Sequence, residues 1–139
     1  MIAAGSRELL DKLRDLLLEQ HKLLLDREKA NYEASHGPVG GPGAFLNLVI
    51  GDPHFAWLKQ VSSLVVDIDE ALAPRSTAGQ DVADTLTKRA RDLMRPRENG
   101  TDFETRYYQA VQESPDVVIL QVRMERLLAH DSSGTKPSL

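Results

Sequence analysis

The segment SRELLDKLRDLLLEQHKLLLDREKANY, residues 6–32, decides the fold of this protein. It contains neither glycine nor proline, and it consists largely of leucine, lysine, arginine and glutamate, which are strong helix formers. The segment therefore predicts one long helix that begins at about Ser6 and runs to Tyr32 or slightly beyond.

Apolar residues cover more than half the circumference of this predicted helix, at about 100° per residue. A central stripe and two flanks contain Leu10, Leu13, Leu17, Leu24 and Asn31, then Leu9, Leu16 and Leu23, then Leu18 and Leu25. One neighbouring helix cannot cover so wide a sector. We therefore expect this helix to lie at the centre of a bundle or at a contact between subunits.

Between the first helix and residue 73, glycines and prolines separate the predicted elements. Residues 36–43, HGPVGGPG, predict a loop because several glycines and prolines disfavour regular hydrogen bonding. Residues 44–50 follow as a short apolar segment. A second core helix is predicted from Pro53 to about Ala73, with Asp52 as its N-cap.

Capping signals divide the second half. Residues 77–80 and 101–104 both have the spacing of a capping box, and each predicts the start of a further helix. The pair Ser114-Pro115 predicts the start of a last helix, which ends at about His130. We therefore predict an all-α fold, a single irregular helical bundle of five to six helices over residues 1–130. A flexible tail is predicted at residues 131–139.

Composition excludes several classes of function. The chain has 139 residues, a formal net charge of -4 and no cysteine, which removes disulfides, thiol nucleophiles and cysteine-based metal sites. No apolar run reaches the roughly 18–20 residues of a membrane helix, and the start lacks the pattern of a signal peptide. We therefore predict a cytoplasmic protein without a membrane partner.

The chain is acidic overall, but it contains one local cluster of cationic residues. It consists of Lys88, Arg89, Arg91, Arg95 and Arg97. Cations near the end of a helix complement the negative end of its dipole, so a solvated helix face explains the cluster. We do not expect a nucleic-acid partner.

His21 and Glu28 are the first candidate site residues. They are seven residues apart, so they project from nearly the same side of the long helix, close to its apolar stripe. An unpaired charge in a core is costly, which makes a buried histidine and glutamate candidates for a binding site. The structural alternative is a histidine satisfied in the core or at its boundary, beside a glutamate that extends to solvent or pairs with an arginine from a neighbouring helix.

The predicted second core helix supplies the other candidate ligand-binding residues, which are His54, Trp57 and Asp69. His54 and Asp69 are about 22 Å apart along a helix, so they cannot share a site without partners from other elements. A di-metal site of the ferritin type needs paired Glu-x-x-His motifs. Only residues 33–36 have that spacing, and we therefore predict no metal and no cofactor.

Three segments resemble a pattern in an uncharacterised family of small bacterial helical-bundle proteins. They are YEASHGP at residues 32–38, GDPHFAWL at residues 51–58 and VVDIDE at residues 65–70. The resemblance implies a helical bundle and carries no established activity. It also directs attention to His36, Asp52, His54 and Trp57, which would cluster if the loop folds back.

From these observations we predict a non-catalytic regulatory or interaction module. We expect it to self-associate as a homodimer through the wide apolar face of the first helix, and a protein partner is also compatible with this role. The alternative is a bundle that binds a small ligand or a metal, either as a binding protein or as an enzyme. That alternative would use His21, Glu28 and Asp69, with a contribution from His54.

Overall fold

The computed structural model describes residues 1–132 and the side chains of residues 1–129. Over residues 1–132 the chain forms six α-helices and one 3₁₀ helix. In chain order they are α1 (Ala4–His36), α2 (Pro42–Gly51), the 3₁₀ helix (Pro53–Leu58), α3 (Lys59–Leu72), α4 (Gln80–Leu93), α5 (Asp102–Glu113) and α6 (Pro115–Ser132). The predicted all-α bundle with a long N-terminal helix is confirmed. No helix in this part of the chain is both long and apolar enough to cross a membrane.

The helix α1 lies at the centre of the bundle. It contacts α6 and α3 most extensively, and it also contacts the 3₁₀ helix and α4. Leu10, Leu13, Leu17 and Leu24 are fully buried. The prediction that several helices must cover α1 is therefore confirmed. The chain's own helices cover the central stripe of the apolar sector that we expected to reach a second subunit, whereas Leu18 on its flank is 48% exposed.

The predicted second core helix is two elements. Asp52 caps its start as predicted, since its side chain accepts a hydrogen bond from the His54 backbone N–H at 2.9 Å. The first six residues then form the 3₁₀ helix before α3 begins at Lys59. With about three residues per turn, a 3₁₀ helix places Phe55 and Leu58 on the same side, and both are buried.

The loop after α1 is shaped by two glycines. Gly37 has a φ of 84° and Gly40 a φ of 99°, in the left-handed region that side chains with a Cβ rarely adopt. The chain reverses there and continues into α2, which we predicted only as an apolar segment. No residue of α2 is buried, and its main contacts are with the 3₁₀ helix.

The predicted capping box at Thr77 is wrong. The helix α4 begins at Gln80 with Gly79 as its N-cap, and no side chain caps it. The Gln80 side chain instead accepts a hydrogen bond from Ala3 N–H at 2.8 Å and donates one to Ser6 Oγ at 2.9 Å. Gln80 therefore ties α4 to the start of α1.

The second predicted capping box is present. The Glu104 backbone N–H donates to Thr101 Oγ1 at 3.1 Å, and the Thr101 N–H donates to Glu104 Oε1 at 3.0 Å. At the other end of the chain, α6 extends to Ser132, two residues beyond the predicted end of the domain. The remainder of the predicted flexible tail, residues 133–139, lies outside the described residues.

A chain of polar side chains crosses the core. Gln20 Nε2 donates to the Tyr107 hydroxyl at 2.7 Å and to the Val117 carbonyl at 3.0 Å, while Tyr107 donates to Gln121 Oε1. Gln121 Nε2 then donates to the Met94 carbonyl at 3.2 Å. Burial raises the pKa of Tyr107 above its usual value, so its hydroxyl remains neutral. The network therefore links α1, α5 and α6 by hydrogen bonds, in addition to the apolar packing between these helices.

Candidate functional site

The carboxylate of Glu28 is buried on α1, with 5% of the residue exposed. Trp57 Nε1–H donates to Glu28 Oε2 at 3.2 Å, and His54 Nε2 lies 3.3 Å from the same oxygen. Asn31 Nδ2 donates to Oε1 at 3.3 Å, and Arg27 Nη1 is 3.7 Å from that oxygen. Because each oxygen has nearby donors, the cost of burying this charge is offset.

The 3₁₀ helix explains why His54 and Trp57 reach the same carboxylate. They are three residues apart, which is one turn of a 3₁₀ helix, so both side chains leave it on one side. His54 Nε2 also lies 3.3 Å from the Glu28 carbonyl oxygen. The structure thus brings together the predicted residues Glu28, His54 and Trp57, and their contacts fasten the 3₁₀ helix to α1.

The predicted residues His21 and Asp69 lie elsewhere. Asp69 Oδ1 accepts a hydrogen bond from Arg14 Nη1 at 3.1 Å, and neither Asp69 nor His21 contacts the Glu28 carboxylate. His21 is half-buried and about 10 Å from Glu28 along the axis of α1. The set His21, Glu28 and Asp69 is therefore not assembled. Within the described range, no three acidic or histidine side chains could hold a metal ion together.

His21 gives a prediction about pH. Burial lowers the pKa of His21 below the usual 6.5. At mildly acidic pH the unfolded chain therefore binds a proton at this histidine more readily than the folded protein does. The free energy of unfolding should therefore fall as the pH drops below about 6.5. We expect His21→Leu to reduce this fall, measured by urea unfolding at neutral and mildly acidic pH. The exposed His36, changed to Gln, is the control, and an unchanged pH profile for His21→Leu would contradict the assignment.

An open cleft of about 610 Å³ lies beside the 3₁₀ helix, between the end of α1 and α2. The C-terminal turn of α1 and residues 37–39 form one wall, and one side of α2 forms the other. Asp52 and Pro53 also line the cleft. Sequence reasoning did not predict a cleft here, because its walls meet only after the chain has reversed direction.

Tyrosine and histidine rings connect this cleft to the side chains that contact the Glu28 carboxylate. Tyr32 and His36 are stacked, with centroids 4.1 Å apart and planes at 7°. Tyr32 also meets His54 edge-on at 5.6 Å, and His54 carries the Asp52 cap at its backbone N–H. The Tyr32 ring therefore contacts both His36 and His54, two of the residues to which the resemblance directed attention.

The outer side of α2 is apolar and exposed. Leu46 and Ile50, four residues apart and hence on one face, are 57% and 60% exposed. Gly43 lies on the same face, and α2 contains no charged residue. Sequence analysis missed this surface, although an uncharged apolar run between glycines was the signal that could have revealed it.

The predicted basic cluster is largely paired. Lys88 Nζ lies 2.6 Å from Asp92 Oδ2, and Arg89 pairs with Asp67. These contacts agree with a solvated helix face.

No protein-family model, curated protein or solved structure matches this chain. Inferences about its function therefore rest on its own geometry, and the bacterial origin implied by the resemblance stays a prediction.

Proposed function

We propose that this protein is a non-catalytic interaction module that forms a homodimer through the exposed face of α2. The observation that carries the proposal is an uncharged helix with no buried residue, whose Leu46 and Ile50 face solvent. Soluble proteins rarely expose large contiguous apolar patches, and such a patch commonly marks an interaction site. The central stripe of α1 is less suited to this role because other helices of the same chain cover it.

The uncharged surface of α2 suits a second copy of the chain. The protein carries a net charge of -4, so two copies repel each other overall. The helix α2 avoids this cost because it has no charged residue. In an antiparallel pair, Gly43 of one copy would lie opposite Ile50 of the other. Gly43 has no side chain and so leaves a notch on this face. Apart from its chain neighbours and the backbone of its own helix, no atom lies within 4 Å of a Cβ built there, so the notch is open to a partner.

The size of α2 limits the strength of such a dimer. Its ten residues are about 15 Å long, whereas a stable interface buries about 800 Å² on each partner. We therefore expect a dimer with a dissociation constant in the micromolar range or weaker. Protein concentration would then control how much of the chain is paired.

Sedimentation equilibrium from about 10 µM to 1 mM tests the proposal, because this range spans the expected dissociation constant. We expect the average mass to rise with concentration for the natural chain. Leu46→Asp should weaken association at least tenfold, because pairing would bury two charges at the two-fold axis.

The matched control is Val66→Asp on α3, a residue that is 53% exposed and belongs to a different helix from α2. It adds the same charge without touching the proposed interface, so its association should match that of the natural chain. A strict monomer throughout the range would overturn the proposal. Equal weakening by both substitutions would place the contact elsewhere.

A further inference from the structure

We propose that the cleft between the end of α1 and α2 binds a primary alkylammonium group. This proposal does not depend on the dimer. The cleft is lined by Ala44, Asn47 and Leu48 of α2, whereas Leu46 and Ile50 lie on another side of that helix. A monomeric protein would still present the cleft.

The charge of the cleft favours a cation. Asp52 is the only acidic residue in its lining, which contains neither lysine nor arginine. Both α1 and α2 also end at the cleft, at His36 and Gly51. The C-terminal end of a helix carries partial negative charge because its last carbonyls lack partners within the helix.

Hydrogen-bond acceptors surround the same space. His36 Nδ1 lies 3.1 Å from the Tyr32 carbonyl oxygen, which can only accept, so Nδ1 carries the proton. In the neutral ring Nε2 is then an acceptor. Asp52 Oδ1 already accepts from the His54 N–H, which leaves Oδ2 for a ligand. Asn47 also lines the cleft, and its side chain has no partner in the described structure. A primary ammonium has three N–H groups, one for each of these acceptors.

Other ligand classes fit less well. A calcium ion takes six to eight oxygen ligands, commonly from several carboxylates, and this cleft offers one carboxylate. An anion would meet Asp52 and the negative ends of two helices. A quaternary ammonium could not donate hydrogen bonds to the acceptors. The apolar side chains of Pro38, Val39 and Leu48 would instead contact the alkyl part of a primary amine.

Nuclear magnetic resonance titration of the full ¹⁵N-labelled chain tests this inference. The probe is n-butylammonium chloride, and butanol and sodium butyrate are the neutral and anionic controls. We expect a dissociation constant on the order of 1 mM for the ammonium probe, with shifts concentrated at residues 36–39 and 47–53. Binding of butanol or butyrate with equal affinity would overturn the proposal, as would shifts confined to other parts of the chain.

Asp52→Asn is the decisive variant. An asparagine side chain keeps the oxygen that caps the 3₁₀ helix but loses the charge. We expect its affinity for butylammonium to fall at least tenfold while the far-UV circular dichroism spectrum is unchanged. Glu19→Gln, an exposed residue with no side-chain partner in the described structure, removes the same charge far from the cleft and should leave the affinity unchanged. Equal effects of both substitutions would show only general attraction of a cation to an acidic protein, and would overturn the site.

A second pair of measurements identifies the source of the ammonium group and tests the histidine. Nα-acetyl-lysine methylamide carries the same group as a lysine side chain, so comparison with butylammonium distinguishes a free amine from a protein lysine. Binding of either probe supports the site.

His36→Phe retains a ring that can stack on Tyr32 but removes the acceptor at Nε2. We expect affinity for both probes to fall several-fold, and no loss would contradict the assigned acceptor.

Discussion

Replacing Trp57 with alanine is expected to lower the free energy of unfolding by about 3–5 kcal/mol, the usual cost of truncating a large buried ring. Trp57 is 6% exposed, and its ring centroid lies 5.3 Å from that of Phe103 on α5. Its indole N–H also donates to the buried carboxylate of Glu28. The substitution would therefore leave a cavity and deprive a buried charge of a donor. Urea unfolding followed by far-UV circular dichroism measures the loss.

Trp57→Phe removes the donor but less of the ring. Phenylalanine has no N–H and leaves a smaller cavity than alanine, so its cost combines the missing donor, about 1–3 kcal/mol, with a partial cavity. The expected order of stability is natural chain, then Trp57→Phe, then Trp57→Ala. If Trp57→Ala cost less than about 1 kcal/mol, the ring would not be a buried link between α1 and α5.

Tyr107→Phe is expected to lower the free energy of unfolding by about 1–3 kcal/mol, because it leaves a buried acceptor without its donor. The Tyr107 hydroxyl donates to Gln121 and accepts from Gln20, and all three side chains are buried. Loss of the hydroxyl leaves Gln121 Oε1 unpaired, whereas Gln20 Nε2 still donates to the Val117 carbonyl. Thermal and urea unfolding both measure the effect.

Tyr108→Phe is the matched control. Tyr108 is the next residue in α5, is only half-buried and has no side-chain partner in the described structure. Removal of its hydroxyl should change the stability by less than about 0.5 kcal/mol. Similar losses for both variants would mean that the polar chain through the core contributes no specific stabilisation.

Local patterns predicted the helices well. Residues 6–32 have helix-forming residues at every turn and no breaker, and α1 indeed spans Ala4–His36. The capping box at Thr101 was predicted from residues three apart and is present. The same spacing at Thr77 failed because Gln80 bonds to Ala3 and Ser6, more than seventy positions away in the chain. A local pattern cannot include a distant competitor for the same side chain.

The candidate site was predictable residue by residue but not as an assembly. Glu28 attracted attention because a charge on an apolar stripe needs partners, and Trp57 and His54 because of their place near a helix start. Their meeting depends on the chain reversal at Gly37 and Gly40 and on the 3₁₀ winding. Neither feature can be predicted from the positions of Glu28, His54 and Trp57 in the sequence. The outer face of α2 was missed because an apolar run has the same sequence whether it is covered or exposed.

The sequence alone determined that the chain is helical, where most helices begin and end, and that α1 needs several neighbours. These properties depend on interactions between residues a few positions apart. Only the tertiary structure decided which apolar faces are covered and which polar groups find partners. That decision depends on contacts between residues distant in the chain, such as those that bury Glu28 and leave Leu46 and Ile50 in solvent.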